Sequence, residues 1–499
     1  MMDLELLSVL ASGLLPYPAD ETDRLWKGML INQFHDILPG SSIHEVYEVT
    51  KQEYAAMEET IARLEQERMA ALCAPGDGLT VFNTKGFDGD EIVPLGETDV
   101  QALLDEAGTL YPVQHTEKGA FVSLKDLPAK GWRTYQTRTE AVSAPSPFTL
   151  SDDRHLETPY YTVELDETGL FARLYDKENR REVFKPGQKG NLMRMYEDKP
   201  IYYDNWDIDI YYTEKSWDVT DLQRLEWEEI GPVCAVLKLE RKVSNSLIRQ
   251  TIRFYADSRR IDFATHIDWH EQHVLLKAAF PVDICADRAQ YDIQFGSIAR
   301  DTHTNTSWDE ARFEVCAHKW ADLSEPGYGA ALLNDGRYGY DVHDGVLRLS
   351  LLRAATYPAP HADQGAHDFT YALLPHLGDW RQGGVIPAGY DLNAPALPLA
   401  VAAQPAGTLP AAYSQFRIDA PNVVLETVKK AEDGSGLILR LYESWGTRTR
   451  AALALPDDAA AVRCTPMEQP LPGEETVQHS LPLTLHPFEI CTIHVQFAQ

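Results

Sequence analysis

His35 and Asp36 stand side by side in the run Asn32-Gln33-Phe34-His35-Asp36-Ile37-Leu38-Pro39-Gly40. Imidazole and carboxylate are side chains that ligate transition metals and hydrogen-bond polar ligands. His35 falls one position off the apolar stripe of its segment, near a helix end from which a side chain can reach a neighbouring domain. Spacing alone favours a plainer account, a helix-surface or packed histidine, because a metal site needs several ligands. Asp36 reads as a helix C-terminal carboxylate, where acid opposes the macrodipole, so its presence asks for another reason. Asp363 and His367 share the run Ala362-Asp363-Gln364-Gly365-Ala366-His367, a loop of the kind that carries binding residues on rigid scaffolds. His270-Glu271-Gln272-His273 imitates a zinc-protease motif but spaces its histidines by three where the helical motif requires four. Ile267, Trp269 and Val274-Leu275-Leu276 around it predict a strand, a turn and a strand, read as a hairpin. No Gly-rich phosphate loop and no Gly-x-Ser-x-Gly elbow occurs.

The elements that must carry these residues change character along the chain. Leu25, Trp26, Met29, Leu30, Phe34, Ile37 and Leu38 recur at helical spacing, and Pro39-Gly40 supplies the stop. Ser42 with Glu45 predicts a capping box opening the next helix, whose stripe runs through Ile43, Val46, Tyr47, Tyr54, Met57, Ile61, Leu64 and Leu72. With the segment around Leu4 to Leu15 this makes three helices. After Ala74-Pro75-Gly76 come short runs such as Leu79-Thr80-Val81-Phe82 and Thr162-Val163-Glu164-Leu165 between Gly, Pro, Asp and Asn, a β-sandwich texture. Ala and Pro enrichment from Tyr390 to Pro410 predicts a linker. The fold expected is α+β multidomain, an N-terminal three-helix bundle followed by mainly antiparallel β-sandwich domains. The domain expectation is a helical bundle over 1–74, a small β domain over 75–150, a large β-sandwich over 151–390 and a C-terminal β domain over 391–499.

Composition narrows the partners. The 499 residues carry a formal charge of −31, which opposes nucleic acid and anionic lipid. The six cysteines are far apart with no Cys-x-x-Cys pair, suiting reduced thiols and a cytoplasmic setting. The first residues open with Asp3 and Glu5, without the basic start of a signal peptide, so Asn305-Thr306-Ser307 is read as an accidental sequon. No apolar run approaches the roughly 20 residues of a membrane span.

The phrase from Trp26 to Ser42 resembles, nearly residue for residue, the signature of the zinc-dependent α-mannosidases of glycoside hydrolase family 38. Further similarity runs through Tyr196 to Asp209, Arg300 to Gly329, and Leu349-Ser350-Leu351-Leu352-Arg353 into Ala362 to Tyr371; it is weakest in the small β domain and the last sixty or so residues. The resemblance implies His35 as a zinc ligand and Asp36 as a pocket-lining residue able to bond a zinc-bound sugar hydroxyl. It makes Asp363 and His367 candidates for the rim of the sugar pocket, although turn chemistry and packing account for most residues in these runs. It further implies that the α/β domain bearing the nucleophile, the catalytic acid and most zinc ligands is absent, as in an engineered piece, a truncated reading frame or a split enzyme. The expectation is therefore the C-terminal portion of a retaining α-mannosidase acting on terminal α-D-mannosides. Zinc would belong to the complete enzyme, and the chain alone would be inactive without that domain in cis or trans. Alternatives are a non-catalytic subunit lending His35 to a separate catalytic chain, and a carbohydrate-binding β-sandwich module. Loss of a covering domain also predicts exposed apolar groups near Phe34, Ile37 and Leu38, with self-association into a homo-oligomer or mobile first helices.

Overall fold

Three helices, α1 (Met2–Leu10), α2 (Ala19–Asn32) and α3 (His44–Leu72), precede a series of sheets in the computed structural model. It describes residues 1–499 except 77, 118, 400–402, 406–408 and 499. Asp20 and Glu21 in the first turn of α2 complement the helix dipole. α1 is apolar on most sides: Leu6 and Val9 join the core of the C-terminal sheets, while Leu7 packs with Met69, Leu72, Phe82 and Trp132. α3 buries only Leu64, Arg68, Met69 and Leu72, all near its C-terminal end. α2 buries Thr22, Leu25 and Asn32.

Two sequence expectations fail here. α2 ends at Asn32, well before Leu38. The Asn32 side chain bonds back to the Gly28 carbonyl at 3.1 Å and to Glu53 at 2.7 Å, and accepts from Thr50 at 2.8 Å, tying the helix end to α3. The Ser42–Glu45 capping box does not form: Ile43 is the N-cap of α3, without a side-chain cap. A capping box does form at Thr306 and Asp309, at the start of α4 (Ser307–Glu310), which gives Thr306, the middle residue of the sequon, a structural use.

Every described strand pair is antiparallel, as in sandwiches whose strands alternate buried and solvent-facing positions. The strand Tyr161–Leu165 buries Tyr161, Val163 and Leu165 and leaves Thr162 and Glu164 partly exposed. A nine-stranded and a six-stranded sheet enclose the largest core, with Trp269, Phe263, Phe280, Leu349 and Tyr371 inside. The predicted hairpin at 270–273 is a correction. Ile261–Trp269 belongs to the nine-stranded sheet and Val274–Pro281 to the six-stranded one, so the His270 to His273 turn steps from one layer to the other. The linker expected over 390–410 lies partly outside the described residues. Its described parts are not free: α5 (Val385–Asn393) packs on the large sandwich, and Leu397–Leu399 pairs with Gly78–Asn83 of the small sheet. Ala412–Ser414 adds to the same sheet, so the small β unit draws on two distant parts of the chain.

Candidate functional site

Beyond Asn32 the chain turns on itself, with Ile37 N and Leu38 N both donating to the Phe34 carbonyl and Gly40 at φ +84 closing the turn. The hydroxyl of Tyr47 on α3 pins this turn: it accepts from Ser42 N at 2.9 Å and donates to the Asp36 carbonyl at 3.1 Å. Buried Ser41 adds a contact of 3.4 Å to the Asp36 carboxylate. The backbone at Asp36 is thereby fixed while His35 points outward, its side chain 69% exposed and its Nε2 3.4 Å from Asp36 Oδ2. Leu30, Ile31, Phe34, Leu38 and Ile43 of the same segment are exposed, and the Phe34 ring centroid lies 4.2 Å from that of the imidazole. Of the apolar stripe that spacing assigns to a core, Leu25 packs with Leu4 and Leu64, whereas Leu30, Phe34 and Leu38 have little cover among the described residues. As a zinc site the arrangement is partial: a protein zinc site needs three or four donors, and the described residues contain no group of three or more His, Cys, Asp or Glu able to hold a metal. His44, at the start of α3, is paired with Glu48 at 3.8 Å.

The tail of the same turn reaches a cleft. Pro39 lines a space of about 490 Å³ together with Glu314, Arg337, Gly339, Ser350, Arg353, Asp363 and His367. The predicted pair Asp363 and His367 is brought together here, while neither His35 nor Asp36 is among the lining residues. Asp363 adopts φ +58, a left-handed conformation that aspartate tolerates. Its carboxylate accepts from Arg353 N at 3.2 Å, and its carbonyl accepts from His367 Nε2 at 2.8 Å, which leaves Nδ1 of a neutral imidazole as an acceptor. Arg353 is held by buried Asp198, with one contact of 3.3 Å, and also bonds the Asp207 carbonyl. Buried Asp204 accepts from the amides of Thr356 and Tyr357, each at 2.7 Å. These two carboxylates clamp the 198–209 segment to the 353–363 loop.

Behind the cleft lies a charge network that the sequence reading did not single out. Lys277, on an otherwise apolar strand, bonds both Glu314 and Asp341; Asp341 also takes Arg348 at 2.5 Å, and Tyr212 donates to Glu314 at 2.5 Å. Burial, reinforced by Asp341, pushes the Glu314 carboxyl above the ordinary carboxylate value despite Lys277. Burial acts the same way on Asp341, but Lys277 and Arg348 outweigh it and hold that carboxyl low. A lone lysine within Val274-Leu275-Leu276-Lys277-Ala278-Ala279-Phe280 is the available sequence signal, since a buried lysine needs acidic partners. A larger cleft, about 750 Å³, lies by Thr134 and Arg138 of the small sheet and gathers none of the predicted residues.

Comparison with known proteins gives three family matches. Residues 1–72 match the alpha mannosidase middle domain, 156–361 the glycosyl hydrolases family 38 C-terminal domain, and 422–493 the family 38 C-terminal beta sandwich domain. The chain is 36% identical to alpha-mannosidase 2C1 of Homo sapiens across 98% of its own length and 47% of that protein. It is 29% identical to alpha-mannosidase G of Dictyostelium discoideum, over 95% of this chain and 48% of the relative. The chain thus spans about half the length of the curated relatives it matches. A crystal structure of an alpha-mannosidase from Enterococcus faecalis V583 superimposes with a TM-score of 0.80 at 16% identity, covering 99% of this chain and 65% of that one, and shows the shared fold.

Proposed function

The chain belongs to glycosyl hydrolases family 38, and on that premise we propose that residues 1–499 form the middle and C-terminal portion of an α-mannosidase acting on terminal α-D-mannosides. The observation that carries the reading is similarity along almost the whole chain to α-mannosidases twice its length. The presentation of His35 supports it further. An exposed imidazole on a hydrogen-bonded turn, beside the Phe34 ring and in a segment with several exposed apolar residues, suits a ligand offered across a domain boundary.

In this reading His35 is one zinc ligand and Asp36 lines the mannose pocket, with the Tyr47 and Ser41 hydrogen bonds fixing the Asp36 backbone and carboxylate. Asp363 and His367 form part of the pocket rim. Zinc, when bound, would gather and polarise sugar hydroxyls; the remaining donors and both reacting carboxylates would come from the half of the longer relatives that this chain does not match. Retention requires those two carboxylates about 5 to 5.5 Å apart. Residues 1–499 alone are then inert towards mannosides and hold no stoichiometric zinc. The six cysteines, all free, suit a reducing compartment such as the cytoplasm, and no described helix is long and apolar enough to cross a membrane. The test is hydrolysis of an aryl α-mannoside by these residues alone and joined to a catalytic α/β half. The reading requires turnover only in the joined protein.

A further inference from the structure

The cleft beside Pro39 carries chemistry that a terminal mannose alone does not explain. Arg337 lies on it with its guanidinium over the Phe369 ring, 4.3 Å from the centroid. Nε is buried without a hydrogen-bond partner, and Nη1 donates to the Gly336 carbonyl at 3.2 Å. Among the described residues no carboxylate comes within ion-pair distance of Arg337, whereas neighbouring Arg353 is answered by Asp198. Glu314 shows the opposite asymmetry. Its side chain is 12% exposed; Oε1 serves Tyr212 and Lys277, while Oε2 receives only Ser350 Oγ at 3.4 Å. Gly339 lines the same cleft, and a Cβ there would stand 2.9 Å from Ser350 Cβ on the paired strand and 4.0 Å from Glu314 Oε2, so no side chain fits beside Ser350 and Glu314.

We propose that this cleft is a saccharide subsite that holds the sugar unit attached to the terminal mannose, with Arg337 as its specificity-determining donor. It rests on the mannosidase reading and extends it to the second sugar. An under-used guanidinium, a half-satisfied carboxylate oxygen and the Asp363–His367 pair offer donors and acceptors to neighbouring hydroxyls, the pattern of a polyol site. A neutral ligand fits better than an anion. Asp363 and Asp335 lie near enough to Arg337 to favour its charge, the charge of Glu314 is met by Lys277, and the chain's net charge of −31 repels anions.

Cys316 provides the test, because it is exposed and lines the cleft, while exposed Cys285 lies away from it. Alkylation of the 499-residue chain would be followed at both cysteines with mannobiose at on the order of 10 mM, a concentration suited to a weak single-sugar site. Protection of Cys316 by about threefold or more, with Cys285 unchanged, is the expected result. Arg337→Gln should abolish the protection and Arg337→Lys should weaken it, both at unchanged melting temperature. No protection by any linkage of mannobiose, protection by sodium phosphate in place of the sugar, or protection surviving in Arg337→Gln would each overturn the subsite. Absent protection alongside an active joined enzyme would sink the subsite alone; protection alongside an inactive joined enzyme would count against the mannosidase reading.

Discussion

His35 Nε2 stands 3.4 Å from Asp36 Oδ2 on a turn whose backbone is fixed while the imidazole stays in solvent. Such an arrangement leaves the imidazole largely unused by the fold. His35→Ala should therefore leave stability within about 0.5 kcal/mol of the parent, as for exposed substitutions elsewhere. Thermal melting of the two proteins checks this, and a drop of several degrees would mean that His35 packs after all.

Tyr47→Phe should act oppositely. Losing the hydroxyl removes the donor to Asp36 and the acceptor for Ser42 N, a cost of about 1 to 2 kcal/mol. The Ser42 amide should then exchange faster than amides in the large sandwich, and unchanged protection would show that Tyr47 does not pin the turn.

Asp204 predicts an acid limb. Burial pushes its carboxyl up, but the amides of Thr356 and Tyr357 and the Thr356 hydroxyl outweigh it, so the carboxyl sits below its ordinary 3.8. A carboxylate depressed in the folded state contributes stability that is present above its unfolded value and lost as pH falls through its folded value. The clamp between the 198–209 and 353–363 segments should loosen below about pH 4. Melting temperature against pH should show the loss, and Asp204→Asn should lower the neutral plateau and flatten the acid limb.

Lys277→Met should be severe, about 3 to 5 kcal/mol, because Glu314 and Asp341 would be left buried without their shared cation. Denaturant unfolding measures it. A near-neutral effect would mean that the two carboxyls take up a proton and bond each other instead.

Much of the architecture was legible because strand alternation is local: Tyr161, Val163 and Leu165 face the core as their spacing requires. The end of α2 was not, because Asn32 and Tyr47 decide it through contacts with another helix. The step at His270 to His273 was misread for a similar reason: strand, turn and strand are visible in sequence, but the change of sheet is set by partners far along the chain. The signature phrase drew attention to His35 and Asp36 through similarity, whereas periodicity alone placed them on a helix. The cleft was illegible as a unit, since Pro39, Glu314, Arg337 and Asp363 meet only through folding across more than three hundred residues.

The exposed stripe of Leu30, Ile31, Phe34 and Leu38 should make the isolated chain self-associate, with charge limiting the size of the assembly. Ile31→Lys with Leu38→Lys should return it to a monomer at unchanged melting temperature. Light scattering decides, and a parent chain that is strictly monomeric would show that the stripe needs no cover.

The most direct measurement is hydrolysis of an aryl α-D-mannoside by residues 1–499 joined to the catalytic α/β half of a longer family relative. The account predicts turnover with retention in the joined protein, none from residues 1–499 alone, and loss of at least about a hundredfold on His35→Ala, as expected when a metal ligand is removed. Turnover by the isolated residues, or full activity in the joined protein carrying His35→Ala, would contradict it.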